Sequence, residues 1–80
     1  MTDSTADVRA LVEKIARSLV EAQDAVFVEQ FDDGVIELEV AEEEVGKVIG
    51  RNGRTAKALR TLLSAAGIRA RKRYSLEIIE

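Results

Sequence analysis

Apolar side chains at Val8, Leu11, Val12, Ile15 and Leu19 recur every three or four positions, the spacing that places them on one face of a helix. Ser4 and Asp7 stand three apart ahead of this stripe, with Asp where a capping box carries Glu or Gln, so an amphipathic helix is predicted over residues 5–22. Its polar face, with Arg9, Glu13, Lys14, Arg17 and Glu21, reads as a solvated surface. The period then falls to two. Residues 25–31 and 35–40 are rich in β-branched and aromatic side chains, and Asp32-Asp33-Gly34 between them tolerates positive φ, which predicts a β-hairpin. In its second strand Ile36, Leu38 and Val40 share one face and Val35, Glu37 and Glu39 the other, so one side packs and the other meets water. Phe27 and Phe31 are expected to pack in the core or on the sheet.

Glu42-Glu43-Glu44 opens a short helix reaching Ile49, since carboxylates complement the positive end of the helix dipole. Consecutive helical residues point in different directions, so three acids in a row are poor metal co-ligands. Gly50-Arg51-Asn52-Gly53 interrupts the pattern; Ala56, Leu59, Leu62, Leu63 and Ala66 resume it, predicting a helix over 54–66 with Gly67 as its stop. Residues 71–79 alternate, with Lys72, Tyr74, Leu76 and Ile78 opposite Arg71, Arg73, Ser75, Glu77 and Ile79. The expected fold is α+β in the order α-β-β-α-α-β, a three-stranded mixed sheet packed against three helices. The two helices between the second and third strands should give a right-handed crossover to a parallel pairing. A chain of 80 residues suits one domain over 1–80, with residues 1–4 flexible.

Composition narrows the function. The chain has no cysteine and no histidine, which removes disulfides, thiolate zinc sites and the side chains that most often serve as nucleophile or general base. An enzyme is not expected, nor a metal or other cofactor. Gly46, Gly50 and Gly53 do not give the spacing of a phosphate-binding P-loop. Neither a signal peptide nor a membrane-length apolar run is evident, so a cytoplasmic protein without a membrane partner is expected. The net charge of −3 hides a division: residues 1–45 hold 13 acids against 3 bases, whereas residues 46–80 hold 9 bases against 2 acids. That predicts one negative and one positive face, the positive one starting at the glycines.

Between two helices, Gly-x-x-Gly leaves backbone N–H groups without intrahelical acceptors at the start of the second helix and removes the Cβ atoms that would hold a phosphate backbone away. Arg51 and Asn52 can project outward, and Lys47, Arg54, Lys57 and Arg60 add charge around them. Val48 and Ile49 offer an apolar floor for unstacked bases. A bare Gly-x-x-Gly is most simply a tight turn; the preceding Val-Ile, the flanking bases and the element order favour phosphate binding here. The tract Arg69-Arg71-Lys72-Arg73 fits a solvated strand edge and an auxiliary phosphate contact equally well.

The run Val48-Ile49-Gly50-Arg51-Asn52-Gly53-Arg54-Thr55-Ala56-Lys57-Ala58-Leu59 resembles the V-I-G-x-x-G core of KH domains, and the element order resembles the type II arrangement of that fold. Gly46-Lys47-Val48-Ile49-Gly50 and Lys57-Ala58-Leu59-Arg60 are similar to the bacterial KhpA family. The resemblance implies single-stranded RNA binding, with Gly50 to Gly53 clamping about four nucleotides of backbone. It further implies a global RNA binder or RNA chaperone with no small-molecule substrate, acting as a homodimer and/or as a heterodimer with a larger KhpB-like KH protein. Only Phe27, Phe31 and Tyr74 are aromatic and none adjoins the turn, which suits clamping better than base stacking. The alternatives are a helix-turn-helix binder of duplex DNA and a protein-interaction module that does not bind RNA.

Overall fold

A computed structural model describes residues 7–80. The first helix, α1, runs Val8–Leu19 and begins with its apolar stripe, later than the expected residue 5, because Asp7 itself is the N-cap: at φ −100° and ψ 74° it is not helical, and its Oδ1 accepts the Ala10 N–H at 3.0 Å. Ser4, expected as the cap, and the expected flexibility of residues 1–4 lie outside the described residues. Val20 is already extended, which ends the helix short of 22. A 3₁₀ turn, Gln23–Ala25, leads into β1 (Phe27–Gln30), and the hairpin returns as β2 (Val35–Glu39). A second 3₁₀ turn, Glu42–Glu44, runs into α2 (Val45–Ile49); α3 (Arg54–Ala70) and β3 (Ser75–Ile78) complete the order α-β-β-α-α-β.

The sheet is mixed, in the order β1-β2-β3, with β1 antiparallel to β2 and β3 parallel to it. Registers Val28↔Leu38 and Ile36↔Leu76 put the apolar positions on the inner face, where Ile36 and Leu38 have no exposed surface. Val8, Val12 and Ala16 of α1, Val48 of α2, and Leu59, Leu63 and Ala66 of α3 close over that face as one core. An arginine holds a carbonyl on each outer strand: Arg9 Nη1 reaches Val28 O at 3.5 Å, and Arg60 Nη2 donates to Leu76 O at 3.2 Å.

Four expectations change. Phe27 is 62 % exposed because it pairs with Glu39 on the wet face, out of step with inward Val28, and Phe31 is 39 % exposed just past the strand end. Leu62 is also exposed, since the core-facing arc of α3 is taken by Leu59, Leu63 and Ala66. Gly67 does not stop α3. It is buried inside the helix, with the Lys72 backbone lying where its Cβ would be, and the end comes at Arg71 in the left-handed region (φ 58°). There the Lys72 N–H donates to Gly67 O at 2.8 Å and the Arg71 N–H to Ile68 O at 3.3 Å, a Schellman closure.

The triple carboxylate also behaves differently from a dipole cap. Glu44 is buried and turns away from its own helix: Oε2 accepts the Glu21 N–H at 2.7 Å and Oε1 the Ala22 N–H at 2.9 Å, while Lys47 Nζ approaches Oε2 at 3.0 Å. It thereby ties the segment after α1 to the base of α2. The two backbone N–H groups, then Lys47, lower its pKa from 4.5 to about 2. A depressed carboxylate contributes stability that is complete above its unfolded pKa and is lost as pH falls through the folded value. Denaturant unfolding should therefore show stability falling between pH 4.5 and about 2, with a shallower fall for Glu44→Ala. Equal slopes for the two proteins would remove Glu44 from the acid response.

Candidate nucleic-acid interface

The turn between α2 and α3 is set by Gly50. Its backbone, at φ 80° and ψ 171°, lies in a region open essentially to glycine alone. A Cβ there would also come within 2.7 Å of the Thr55 Cβ and 2.8 Å of its backbone nitrogen. The Gly53 N–H donates to Gly50 O at 3.1 Å, closing the loop into one 3₁₀ turn, Arg51–Gly53. Asn52 (φ 57°) and Gly53 (φ 74°) are both left-handed, a conformation Asn tolerates better than most residues. Nothing lies near a Cβ added at Gly53, so its backbone angle alone favours glycine.

Among the described residues no side chain caps the first turn of α3, a helix of 17 residues. Its positive dipole end therefore faces outward beside the loop. Arg51, Asn52, Arg54 and Lys57 are exposed around it. Among the described residues the three cations of this group have no ion-pair partner, in contrast to Arg9 and Arg17, both of which pair with Glu13 at 3.0 and 3.2 Å.

The other expected site residues are placed differently. Lys47 is paired with Glu44 at 3.0 Å and lies 3.9 Å from Glu21, and the Glu44 contact raises its pKa. Arg60 is turned to the Leu76 carbonyl. Val48 is fully buried, so it anchors α2 and offers no floor to a base; Ile49 beside it is half-buried and keeps some accessible surface. The structure thus gathers Gly50, Arg51, Asn52, Gly53, Arg54 and Lys57 into one surface, with Ile49 at its margin. Two features escaped the sequence. Thr55 presses on Gly50, and a shallow depression runs along α3 between Arg54, Lys57, Ala58, Thr61 and Leu62. Only a helical-wheel reading of the exposed positions of α3 would have suggested the second.

The two glycines should respond unequally to substitution. Gly53→Ala is expected to lower unfolding free energy by about 1–2 kcal/mol, the cost of a left-handed non-glycine residue. Gly50→Ala should cost more, because the backbone must move away from Thr55 as well. Denaturant melts of both variants would check this, and equal losses would show that the Thr55 contact is readily relieved.

Comparison with known proteins places these features in context. Residues 9–78 match the sequence profile of the KhpA/KhpB KH domain. The chain is 48 % identical over 75 residues to the RNA-binding protein KhpA of Halalkalibacterium halodurans, covering 90 % of this chain and 99 % of that one. It is 49 % identical over 72 residues to the RNA-binding protein KhpA of Caldanaerobacter subterraneus, covering 86 % and 96 %. With the RNA-binding protein KhpA of Treponema pallidum it shares 49 % identity over 73 residues, covering 88 % and 91 %. No solved structure gives a significant match.

Proposed function

The chain belongs to the KhpA/KhpB family of KH domains and has the type II arrangement of that fold, and we propose that it is a single-stranded RNA-binding protein that holds the RNA backbone at the turn from Gly50 to Gly53. The observation that carries this is a glycine-dependent bend delivering the positive end of α3 beside three cations with no ion-pair partner among the described residues, Arg51, Arg54 and Lys57. Phosphate oxygens meet backbone N–H groups there and neutralise those cations. Ile49 gives an extruded base a small apolar contact. Affinity comes chiefly from phosphates, with modest base preference, which suits a global RNA binder or RNA chaperone in the cytoplasm, working as a KH domain and not as an enzyme. No described helix is long and apolar enough to cross a membrane.

One small domain makes few contacts, so binding is strengthened by a second KH module, either another copy or a larger KhpB-like protein. Ala58, Leu62 and Ala65 support that pairing: they form an exposed stripe at i, i+4 and i+7 on α3, with Leu62 48 % exposed. Leu62→Glu should leave the fold intact and shift the protein to a smaller species in sedimentation at working concentrations. An unchanged mass would move the self-association surface elsewhere.

For RNA itself, Arg51→Asp combined with Asn52→Asp places two anions where phosphate sits, at exposed positions that do not support the core. Binding to unpaired RNA should fall below detection while circular dichroism stays native. With about three to five phosphates neutralised, log K against log salt should slope at roughly −2 to −3.5. A folded double variant that binds normally takes the turn out of the mechanism, and displacement of the RNA by duplex DNA at equal concentration favours a helix-turn-helix mode.

A further inference from the structure

The far end of α3 carries a second group of cations. Arg71, Lys72 and Arg73 are consecutive, exposed and without an ion-pair partner among the described residues. Cations at a helix C-terminus commonly serve its dipole, but here the last carbonyls are met by the backbone N–H groups of Arg71 and Lys72. The three side chains are not used as caps, and Lys72 and Arg73 already lie beyond the helix.

The same residues border two adjoining surface depressions. One lies over the helix end, between Ser64, Ile68, Arg71 and Tyr74. The other runs from Lys72, Arg73 and Tyr74 to Phe31 and Gly34 of the hairpin turn. Lys72, Arg73 and Tyr74 line both, so the two depressions make a grooved surface with cations along their common border, the half-buried Tyr74 beside them and the 39 % exposed Phe31 at the far side of the second. Two acids, Asp32 and Asp33, border the hairpin end, and one oxygen of Asp33 is occupied by the Val35 N–H at 3.1 Å.

The segment is also held rigidly from both sides. At Gly67 the Lys72 carbonyl occupies the space of a side chain, and at Gly34 the Arg73 carbonyl does the same. The Ser75 N–H then donates to Gly34 O at 3.1 Å. Backbone packed this closely fixes where the side chains of this segment start, so no backbone ordering is needed when they engage a ligand.

Along α3, Lys57, Thr61, Ser64 and Ile68 follow one another at i, i+4, i+7 and i+11 and are all exposed, joining the cations of the glycine turn to this groove on one helix face. Seventeen helical residues span about 25 Å. At the stacked rise of about 3.4 Å per nucleotide a strand needs about eight nucleotides to cross that distance, and a more extended strand needs fewer.

Resting on the reading of the chain as an RNA binder, we propose that the groove formed by Arg71, Lys72, Arg73, Tyr74 and Phe31 is a second contact for single-stranded RNA. Its cations take phosphates and its rings take an unstacked base, so a strand running along α3 is held at both ends of the helix. Strand length is therefore read by the domain: short oligonucleotides engage the glycine turn alone, and longer ones engage both contacts.

The test compares the intact chain with a variant carrying Arg71→Gln, Lys72→Gln and Arg73→Gln, and with Phe31→Ala, on RNA of about four and about twelve nucleotides. Loss of two or three phosphate contacts should lower affinity for the longer strand about tenfold at low salt and make its salt slope shallower by about 1.4–2. Affinity for the tetranucleotide should stay within about twofold, because the glycine turn takes all of its nucleotides. Phe31→Ala should weaken the longer strand about fivefold or more through lost stacking, again sparing the short one. Equal binding of the longer strand by the intact chain and the triple variant overturns the second contact, and so does an equal loss on both lengths, which is the mark of general charge alone. If the intact chain binds neither RNA at low salt, it is the RNA-binding reading itself that fails.

Discussion

Between the backbone at Gly50 and the side chain of Thr55 there is no room for a methyl group. That exclusion determines how α2 gives way to α3. The chain passes Thr55 in an extended, positive-φ conformation, makes one tight turn and enters a long helix with no side chain folded over its first N–H groups. Arg51 and Asn52 project because the turn has nothing to bury them against. At the base of α2 the Glu44 carboxylate, held by two backbone N–H groups, fixes the short helix to the segment after α1. A helix of only five residues would be marginal alone; here both its ends are anchored.

Charge follows the same architecture. In the acidic half of the chain Arg9 and Arg17 are taken up by Glu13, and Lys47, the first cation of the basic half, is taken up by Glu44. Further along, Arg51, Arg54, Lys57, Arg71, Lys72 and Arg73, at the two ends of α3, have no carboxylate partner among the described residues. A net charge of −3 therefore describes the surface poorly. What a polyanion meets depends on which cations are already neutralised within the fold, and that is settled by packing.

Much of the fold was legible because the apolar periods are clean: of the helical stripe Val8 and Val12 are core with Ile15 and Leu19 packed against it, although Ala16, which the stripe omits, is buried too, and Ile36, Leu38 and Val40 at strand spacing are all core. The glycine turn was legible from its context, with Val48-Ile49 before it, basic residues around it and a helical stripe after it. Where sequence reading failed, a nonlocal contact had overridden a local preference. Gly67 resembles a helix stop, yet it is glycine to admit the Lys72 carbonyl. Glu44 resembles a helix-opening acid, yet its partners are 22 and 23 residues away. Phe27 is apolar but shares the face of Glu39, and Val48 looks like a binding floor but has no exposed surface. No periodicity contains such information, because each case depends on which distant backbone arrives.

The arginines on the outer strands have a consequence for assembly. A three-stranded sheet has two open margins, and strands of four residues at each would otherwise invite a neighbouring chain to add by main-chain pairing. Arg9 on the Val28 carbonyl and Arg60 on the Leu76 carbonyl each cover an acceptor that an incoming strand would use. Extension of the sheet at either margin would have to displace a guanidinium, which disfavours fibre growth.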